Sequence, residues 1–218
     1  MTATTVELAE HTLELLPARA VWWAEQATLL VADLHLGKAG LFRRAGLAIP
    51  EGDTADTLRR LSILIEQFTP ERLVLLGDIL HAAPGADGGL MRQLAAWRSR
   101  HAATPMLAIR GNHDRGIEPL AELFDWHLEG MPSAGLALRH HPPRDPGTAT
   151  GPWLAGHWHP AVRLRGGGDS LRLPAFVEWP GQGLILPAFG SMTGAHTITA
   201  RPGQRRYATS GERIIGLD

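Results

Sequence analysis

Five short apolar runs, each ending in polar residues, constrain the fold of this chain more than any other feature. The runs are LLVADLH at 29–35, LVLLGD at 73–78, MLAIRGNHD at 106–114, LALRHHP at 136–142 and WLAGHWHP at 153–160. Apolar runs of this length are typical of buried strands. Their histidine, aspartate and asparagine residues therefore fall at the C-terminal ends of strands, the edge where open α/β sheets bind ligands. The pattern predicts one polar site at such an edge.

The bulk properties are those of an ordinary globular protein. The 218 residues suit a single domain spanning 1–218. No apolar stretch reaches the roughly 18 residues of a membrane-spanning helix, and the N-terminus lacks a signal-peptide pattern, so we expect a cytoplasmic protein. The chain has no cysteine, so nitrogen and oxygen ligands would have to hold any metal. The net charge of −1 gives no overall attraction to nucleic acid.

The first half of the chain alternates strand and helix patterns. Two or three strands with a turn near Pro17 precede residue 35, a helix is predicted over 53–68, a strand over 72–77, and helices over about 89–101 and 118–124. Short strands broken by Gly and Pro follow, the last over 206–215, with an irregular surface loop at 142–152. This order predicts an α/β fold of two packed sheets with helices outside.

The first two polar clusters contain carboxylates suited to metal binding. Asp33 and His35 are two residues apart, so on a regular strand both would face the same side and reach one ion. Asp78 follows Gly77, which lets the backbone turn sharply, and its carboxylate is suited to bridging two metals. Taken alone, each of these signals is weak, because surface pairs and turn aspartates are common.

The clusters GNHD at 111–114 and GHWH at 156–159 are more specific. Asn112 offers a neutral oxygen ligand, His113 an acid or a donor to developing charge, and Asp114 a partner that fixes the orientation of the His113 ring. His157 and His159 repeat the two-residue spacing after a strand. The structural alternative for GNHD is a polar turn after a strand.

His140 and His141 are adjacent, so on an extended strand they face opposite ways and we expect only one to be a ligand. We favour His140, because it continues the face of Leu136 and Leu138, whereas His141 precedes Pro142, where the chain leaves the sheet. The remaining histidines are interpreted as surface or core residues, although His81 is close enough to the Asp78 loop to line the site. They are His11, His81, His101, His127 and His196.

In this order the five blocks resemble the signature blocks of the calcineurin-like metallophosphoesterase superfamily, over residues 29–160. The resemblance implies a four-layer α/β/β/α sandwich of two packed mixed sheets, with the site at the edge of the paired sheets. It also implies two divalent metal ions with Asp78 bridging them. One ion would be held by Asp33, His35 and His159, and the other by Asn112, His140 and His157.

Further motifs resemble the family of ligase-associated DNA damage response endonucleases. They are DLHLGKAGLFRRAGLAIPEGDT at 33–54, LLGDILH at 75–81, GHWHPA at 156–161 and LPAFGSMTG at 186–194. This resemblance implies a phosphodiesterase or endonuclease that acts on DNA in DNA repair, with Mn²⁺ as the usual metal and a working association with a DNA ligase and a helicase. Fe, Zn and Ni also accept histidine and carboxylate ligands.

Lys38, Arg43 and Arg44 directly follow the first metal pair and are candidates for a rim that receives substrate phosphates; a solvated loop is the structural alternative. Two other functions use the same residues. One is a phosphatase or small-nucleotide (cyclic nucleotide) phosphodiesterase with the same metals. The other is a non-catalytic partner-binding module on this fold, which the five intact blocks disfavour.

Overall fold

The computed structural model describes residues 3–48, 50–81, 88–114, 116 and 120–217, which form two mixed β-sheets and three α-helices. The strands of the first sheet, in both chain and spatial order, are β1 (Thr4–Leu8), β2 (His11–Leu16), β3 (Ala20–Trp23), β4 (Thr28–Val31), β5 (Arg72–Leu75), β6 (Met106–Ile109) and β7 (Asp125–His127). Strands β1 to β4 pair antiparallel, and β4 to β7 pair parallel. The parallel part ends at the edge predicted for the site.

The second sheet is built from the rest of the chain. Its strands are β8 (Met131–Ser133), β9 (Leu136–Leu138), β10 (Trp153–Ala155), β11 (Pro160–Gly166), β12 (Asp169–Trp179), β13 (Gly183–Ile185), β14 (His196–Thr197), β15 (Arg205–Thr209) and β16 (Ile214–Leu217). The spatial order is β14-β11-β12-β13-β10-β9-β8, and β15 and β16 extend it from β12. Strands β9, β10 and β13 are parallel, so two of the polar clusters, at 140–141 and 156–159, follow neighbouring strands.

The three helices are α1 (Lys38–Arg44), α2 (Asp53–Phe68) and α3 (Gly88–Arg100). The face of α2 predicted from three- and four-residue spacing is buried, with Leu58, Leu61 and Leu64 in the core against the first sheet. From α3, Leu94 and Trp97 join the same core. None of the helices in the described ranges is long and apolar enough to cross a membrane.

The central strands of the first sheet, β4 to β6, are apolar on both faces, because each face meets another layer. In β4, Leu29 and Val31 face the helices, whereas Leu30 faces the second sheet. Leu154 and Phe176 meet Leu30 in that second core from the opposite sheet. Burial on both faces explains why these strands are continuous apolar runs rather than alternating ones.

The predicted α/β fold of two packed mixed sheets is confirmed, and the outer layer of the second sheet differs in detail. Within the described ranges every α-helix precedes residue 101. The outer face of the second sheet instead carries a cluster of Trp153, Val177 and Trp179, packed against Trp158 and Ile198. The reason lies in the sequence, since the strand-rich second half contains no long segment with helical periodicity.

Three local predictions changed. The single strand expected over 206–215 is wrong, because a turn at 210–213 with Gly211 in a left-handed conformation splits it into β15 and β16. Strand β1 was missed in the sequence, although Val6 and Leu8 alternate inward. Of the helix predicted over 118–124, residues 118 and 119 lie outside the described part, and 121–123 form a turn.

Candidate metal centre

The site forms where three adjacent parallel strands end. Strand β4 ends at Val31, β5 at Leu75 and β6 at Ile109, so the polar residues that follow each strand meet at one edge. Backbone hydrogen bonds hold the first two loops together: the N–H of Asp33 donates to the carbonyl of Gly77 at 3.2 Å, and that of His35 to the carbonyl of Asp78 at 2.9 Å. The edge predicted from the apolar runs therefore positions these side chains.

Five of the predicted ligands have left-handed backbone conformations. The φ angles of Asp33, His35, Asp78, His157 and His159 are 54°, 45°, 50°, 70° and 45°. The expectation that the first two share a face of a regular strand is wrong, because β4 has already ended. Left-handed turns aim these side chains instead, at about 1–2 kcal/mol for each non-glycine residue. Such strain persists only where surrounding contacts impose it, and it is typical of functional sites.

Asp33, His35 and His159 form the first cluster, as predicted. The Nε2 atoms of the two histidines are 3.2 Å apart, and Nε2 of His159 is 3.3 Å from Oδ1 of Asp33. Two ligands on one ion with bonds of about 2.0–2.1 Å lie roughly 3.0–3.5 Å apart. These residues therefore have the spacing that a single divalent ion requires.

Asp33 supplies the clearest sign that a cation belongs here. Its side chain is fully buried, and its Oδ2 accepts a hydrogen bond from the His157 N–H at 2.8 Å. Its Oδ1 has no hydrogen-bond partner among the described residues. A buried carboxylate oxygen without a partner is costly unless a cation or donor compensates it. The donors present therefore fit a metal ion.

Asn112, His140 and His157 form the second cluster. Nε2 of His140 lies 3.0 Å from Oδ1 of Asn112 and 3.0 Å from Nδ1 of His157. Oδ2 of Asp78 lies 3.4 Å from Nε2 of His140 and 3.5 Å from Nε2 of His35. One carboxylate oxygen thus faces both clusters, which is the position required of a bridging ligand.

The ring nitrogens that face away from the site are held by backbone carbonyls. Nδ1 of His140 donates to the carbonyl of Leu76 at 3.0 Å, and Nδ1 of His159 donates to that of Gly194 at 3.1 Å. A histidine that donates through one nitrogen presents the other as a lone pair. Both rings are therefore oriented with Nε2 facing the site, where a bound ion would take the place of any proton on that nitrogen.

His141 has a different environment. His140 is fully buried and continues the buried face of Leu136 and Leu138, as expected. The His141 ring is partly exposed, and its Nδ1 pairs with the carboxylate of Glu129. Its ring still lies 4.2 Å from that of His157, so it borders the second cluster. The geometry favours His140 as the ligand.

The charges within the site are strongly coupled. Burial alone would raise the pKa of Asp78, but hydrogen bonding to His140 and the backbone N–H of His113 lower it to about 2. Burial opposes a charge on His140, yet Asp78 and Asp33 raise its pKa to about 9. Burial and neighbouring histidines lower the pKa of His35 to about 3. The Asp78 carboxylate is therefore negative at neutral pH and attracts cations.

Asp114 does not orient His113 as expected. Its Oδ1 accepts from the N–H groups of Ile79 and Leu80 at 2.9 and 3.2 Å, and its Oδ2 accepts from that of Gly111 at 2.9 Å. Nδ1 of His113 instead donates to the carbonyl of His81 at 2.9 Å. The predicted contact is wrong because the buried carboxylate satisfies backbone donors of two ligand-bearing loops. Asp114 positions those loops.

His81 is a site residue that the sequence only suggested. Its ring stacks on that of His113, and its Nδ1 lies 3.2 Å from Nδ1 of His35. Burial and the charge of Lys38 lower the pKa of His81 to about 4. None of the five polar blocks includes His81; the signals available were its place three residues after Asp78 and at the end of the LLGDILH motif.

Of the residues predicted to form a phosphate-binding rim, Lys38 lies near the site and Arg43 does not. Lys38 begins α1 with its ammonium near the ring of Phe42, and its charge acts on His81. The guanidinium of Arg43 donates to the carbonyl of Pro50 at 3.0 Å and faces away toward residues 51–55. Arg44 also lies in α1, and its side chain is outside the described part of the structure.

Comparisons with known proteins agree with this geometry. A nuclease from Pseudomonas putida, MPE, shares 37% identity and superimposes with a TM-score of 0.84, covering 99% of this chain and 100% of that one. The phosphoesterase Yfce from E. coli shares 16% identity with a TM-score of 0.42, covering 86% and 96%, a likeness too distant to bear on function. No protein of curated function matches. Residues 27–155 match the calcineurin-like phosphoesterase family. The chain therefore belongs to the calcineurin-like phosphoesterases, which are metal-dependent phosphoester hydrolases.

Proposed function

We propose that this protein is a dinuclear metal-dependent phosphodiesterase that cleaves phosphodiester bonds in DNA. The observation that carries the proposal is the position of Asp78, whose Oδ2 lies within 3.5 Å of a histidine nitrogen in each cluster. Two cation sites that share one carboxylate are suited to in-line displacement at phosphorus. The similarity to a nuclease favours a polynucleotide substrate over a small ester.

Asp33, His35 and His159 would hold one ion and Asn112, His140 and His157 the other, with Asp78 shared. When bound, such a pair supplies Lewis-acid activation of a phosphoryl oxygen and of a water. We expect Mn²⁺ as the native metal, although Fe, Zn and Ni also suit this mixture of imidazole and carboxylate.

We assign His113 the role of giving a proton to the leaving oxygen. Because its Nδ1–H donates to the carbonyl of His81, Nε2 is the nitrogen that carries a transferable proton. Its ring centroid lies 5.0 Å from that of His35, a ligand of the first cluster. Protonated at Nε2, His113 would neutralise the charge that develops as the phosphodiester bond breaks.

A substrate panel with metal-reconstituted protein tests the proposal. Single-stranded DNA, duplex DNA, cyclic nucleotides, and nitrophenyl mono- and diesters would be compared with Mn²⁺, Fe²⁺, Zn²⁺ and Ni²⁺ in turn. We expect DNA cleavage with Mn²⁺, abolished in Asp78→Ala, which removes the shared carboxylate. Hydrolysis confined to monoesters or cyclic nucleotides would replace this function with the phosphatase or small-nucleotide alternative.

The wider setting belongs to the same proposal. The family resemblance in its motifs supports a role in DNA repair, working with a DNA ligase and a helicase. We retain the cytoplasm as its expected location. A deletion strain that is more sensitive to DNA damage, and that regains resistance with the wild-type gene but not with Asp78→Ala, would support that role. Equal survival of the deletion strain and the wild-type strain would contradict it.

A further inference from the structure

A cavity of about 210 Å³ opens beside the first metal cluster. His159 forms part of its wall, together with two arginines, Arg19 and Arg172, and the loop 191–195. Of the described residues that line it, none is Asp or Glu. We call this cavity the arginine pocket. It combines two cationic side chains with direct continuity to a metal ligand.

Arg19 is held in the pocket without a counter-charge. It is partly buried, and its left-handed backbone (φ 67°) is uncommon for a non-glycine residue. Its guanidinium reaches the carbonyl of Ala188 only at 3.5 Å, and no carboxylate among the described residues pairs with it. Burial and the nearby charge of Arg60 lower the pKa of Arg19, so an anion would relieve an unfavourable environment.

Arg172 faces the same pocket from strand β12. It is exposed, and its guanidinium meets only the carbonyl of Ala195, at 3.5 Å. No described carboxylate pairs with it either. By contrast, Asp56 pairs with Arg59 at 2.7 Å and with Arg60 at 3.1 Å. The two pocket arginines therefore retain free hydrogen-bond donors, whereas Arg59 and Arg60 use theirs on Asp56.

The pocket wall also belongs to the metal site. Gly194 accepts the hydrogen bond that orients His159, and the N–H of Gly190 donates to the carbonyl of Asp33 at 3.1 Å. These contacts give the GSMTG segment at 190–194 a structural role that the sequence left open. An anion in the pocket would thus lie next to the group bound at the first cluster.

We propose that the arginine pocket binds a backbone phosphate adjacent to the scissile one, and so selects polynucleotides over small esters. The inference rests on the proposed function. A guanidinium holds phosphate oxygens through two parallel hydrogen bonds, and both arginines have such donors free. Phosphate contacts of this kind set the register of a nucleic acid without reading its sequence.

The test compares two substrates on four proteins. Wild type, Arg19→Gln, Arg172→Gln and Arg165→Gln would be assayed with a labelled single-stranded DNA and with bis(4-nitrophenyl) phosphate, a diester that has no flanking phosphate. Arg165 is the matched control, since it is an exposed arginine closer to the turn of the same β11–β12 hairpin. Because Arg172 is exposed, its variant tests the idea even if Arg19→Gln does not fold.

We expect KM for DNA to rise about tenfold in each pocket variant, with a far smaller change for the nitrophenyl diester. The slope of log KM against log salt should fall by about 0.7 for each lost phosphate contact. An equal rise in KM for DNA in Arg165→Gln, or equal losses of activity on both substrates, would overturn the proposed role of the pocket. The proposal that the protein cleaves DNA would still stand. A wild type that hydrolyses the nitrophenyl diester but no polynucleotide would instead overturn the proposed function, and the pocket with it.

Discussion

The imidazole of His113 stacks on that of His81, with ring centroids 5.0 Å apart, and its Nδ1 donates to the His81 carbonyl at 2.9 Å. This pair of contacts fixes the tautomer of His113 by means of a main-chain oxygen rather than a carboxylate. Nε2 is therefore the ring nitrogen that remains free to take up a proton and pass it to a leaving oxygen.

His113→Ala should keep both metal ions and lose most turnover. None of the contacts that join the seven predicted ligands passes through the His113 ring, whereas general acid catalysis is worth about 10²–10⁴-fold in rate. Metal content by mass spectrometry and DNA cleavage would be measured on the same preparation. Loss of one equivalent of metal would show that His113 is a ligand.

Asp114→Asn should destabilise the protein and weaken metal binding. The asparagine oxygen can still accept from Ile79 and Leu80, but its NH₂ group would face the N–H of Gly111, leaving two donors opposed. A buried donor without an acceptor costs about 1–3 kcal/mol. Chemical unfolding and metal titration would detect both effects. Asp145→Asn, at an exposed loop position, provides the control, and equal stability of the two variants would contradict this role.

The left-handed backbone at the ligands predicts an unusual glycine effect. In metal-free protein, His157→Gly should be more stable than His157→Ala by about 1 kcal/mol, because alanine retains the Cβ strain that glycine lacks. The order should reverse at His196 in strand β14, where alanine is the better residue. Thermal unfolding of the four variants in EDTA measures this. If alanine is the more stable residue at both positions, the backbone of the ligand loop at His157 is not strained.

Stability should fall in mild acid because of a histidine far from the metals. Nε2 of His101 accepts from the Ser62 hydroxyl at 2.7 Å, and Trp97 in turn donates to Ser62. Burial lowers the pKa of His101 below 6.5, so the unfolded chain takes up the proton first as pH falls. The stabilisation is complete above about pH 7 and is lost as the pH falls below 6.5.

Replacement of His101 isolates that contribution. The difference in free energy of unfolding between wild type and His101→Gln should shrink from pH 8 to pH 5, with metal kept saturating. His196→Gln, at an exposed position outside this hydrogen-bond network, is the control variant. A constant difference for His101→Gln across this range would mean that the buried imidazole does not couple folding to protons.

The sequence predicted the location of the site better than its geometry. Apolar runs identify buried strands, and parallel strands bring their ends together, so the meeting of Asp33, Asp78 and Asn112 followed from pattern alone. The aim of each side chain did not, because left-handed turns after β4 and β10 depend on contacts between distant segments. Asp114 shows the same limit, since its partners at 79 and 80 are remote in sequence.

Residues outside the five polar clusters were the hardest to predict. His81 looked like any histidine after a loop, and its stacking on His113 depends on how two strand ends lie side by side. Arg19 was one arginine among many. Its significance is that no carboxylate of the described residues pairs with it, and composition cannot reveal that such a neighbour is missing.

The segment 190–194 lies outside the stretch that matches the family, 27–155, yet it holds the Asp33 backbone and the His159 ring. A fragment cut at 155 would keep four of the five polar clusters but lose His157 and His159, one predicted ligand of each metal position. Substitutions in segment 190–194 could therefore change metal affinity without altering a single residue of the five polar clusters. Differences in metal preference among relatives should be sought in segment 190–194 as well as among the predicted ligands.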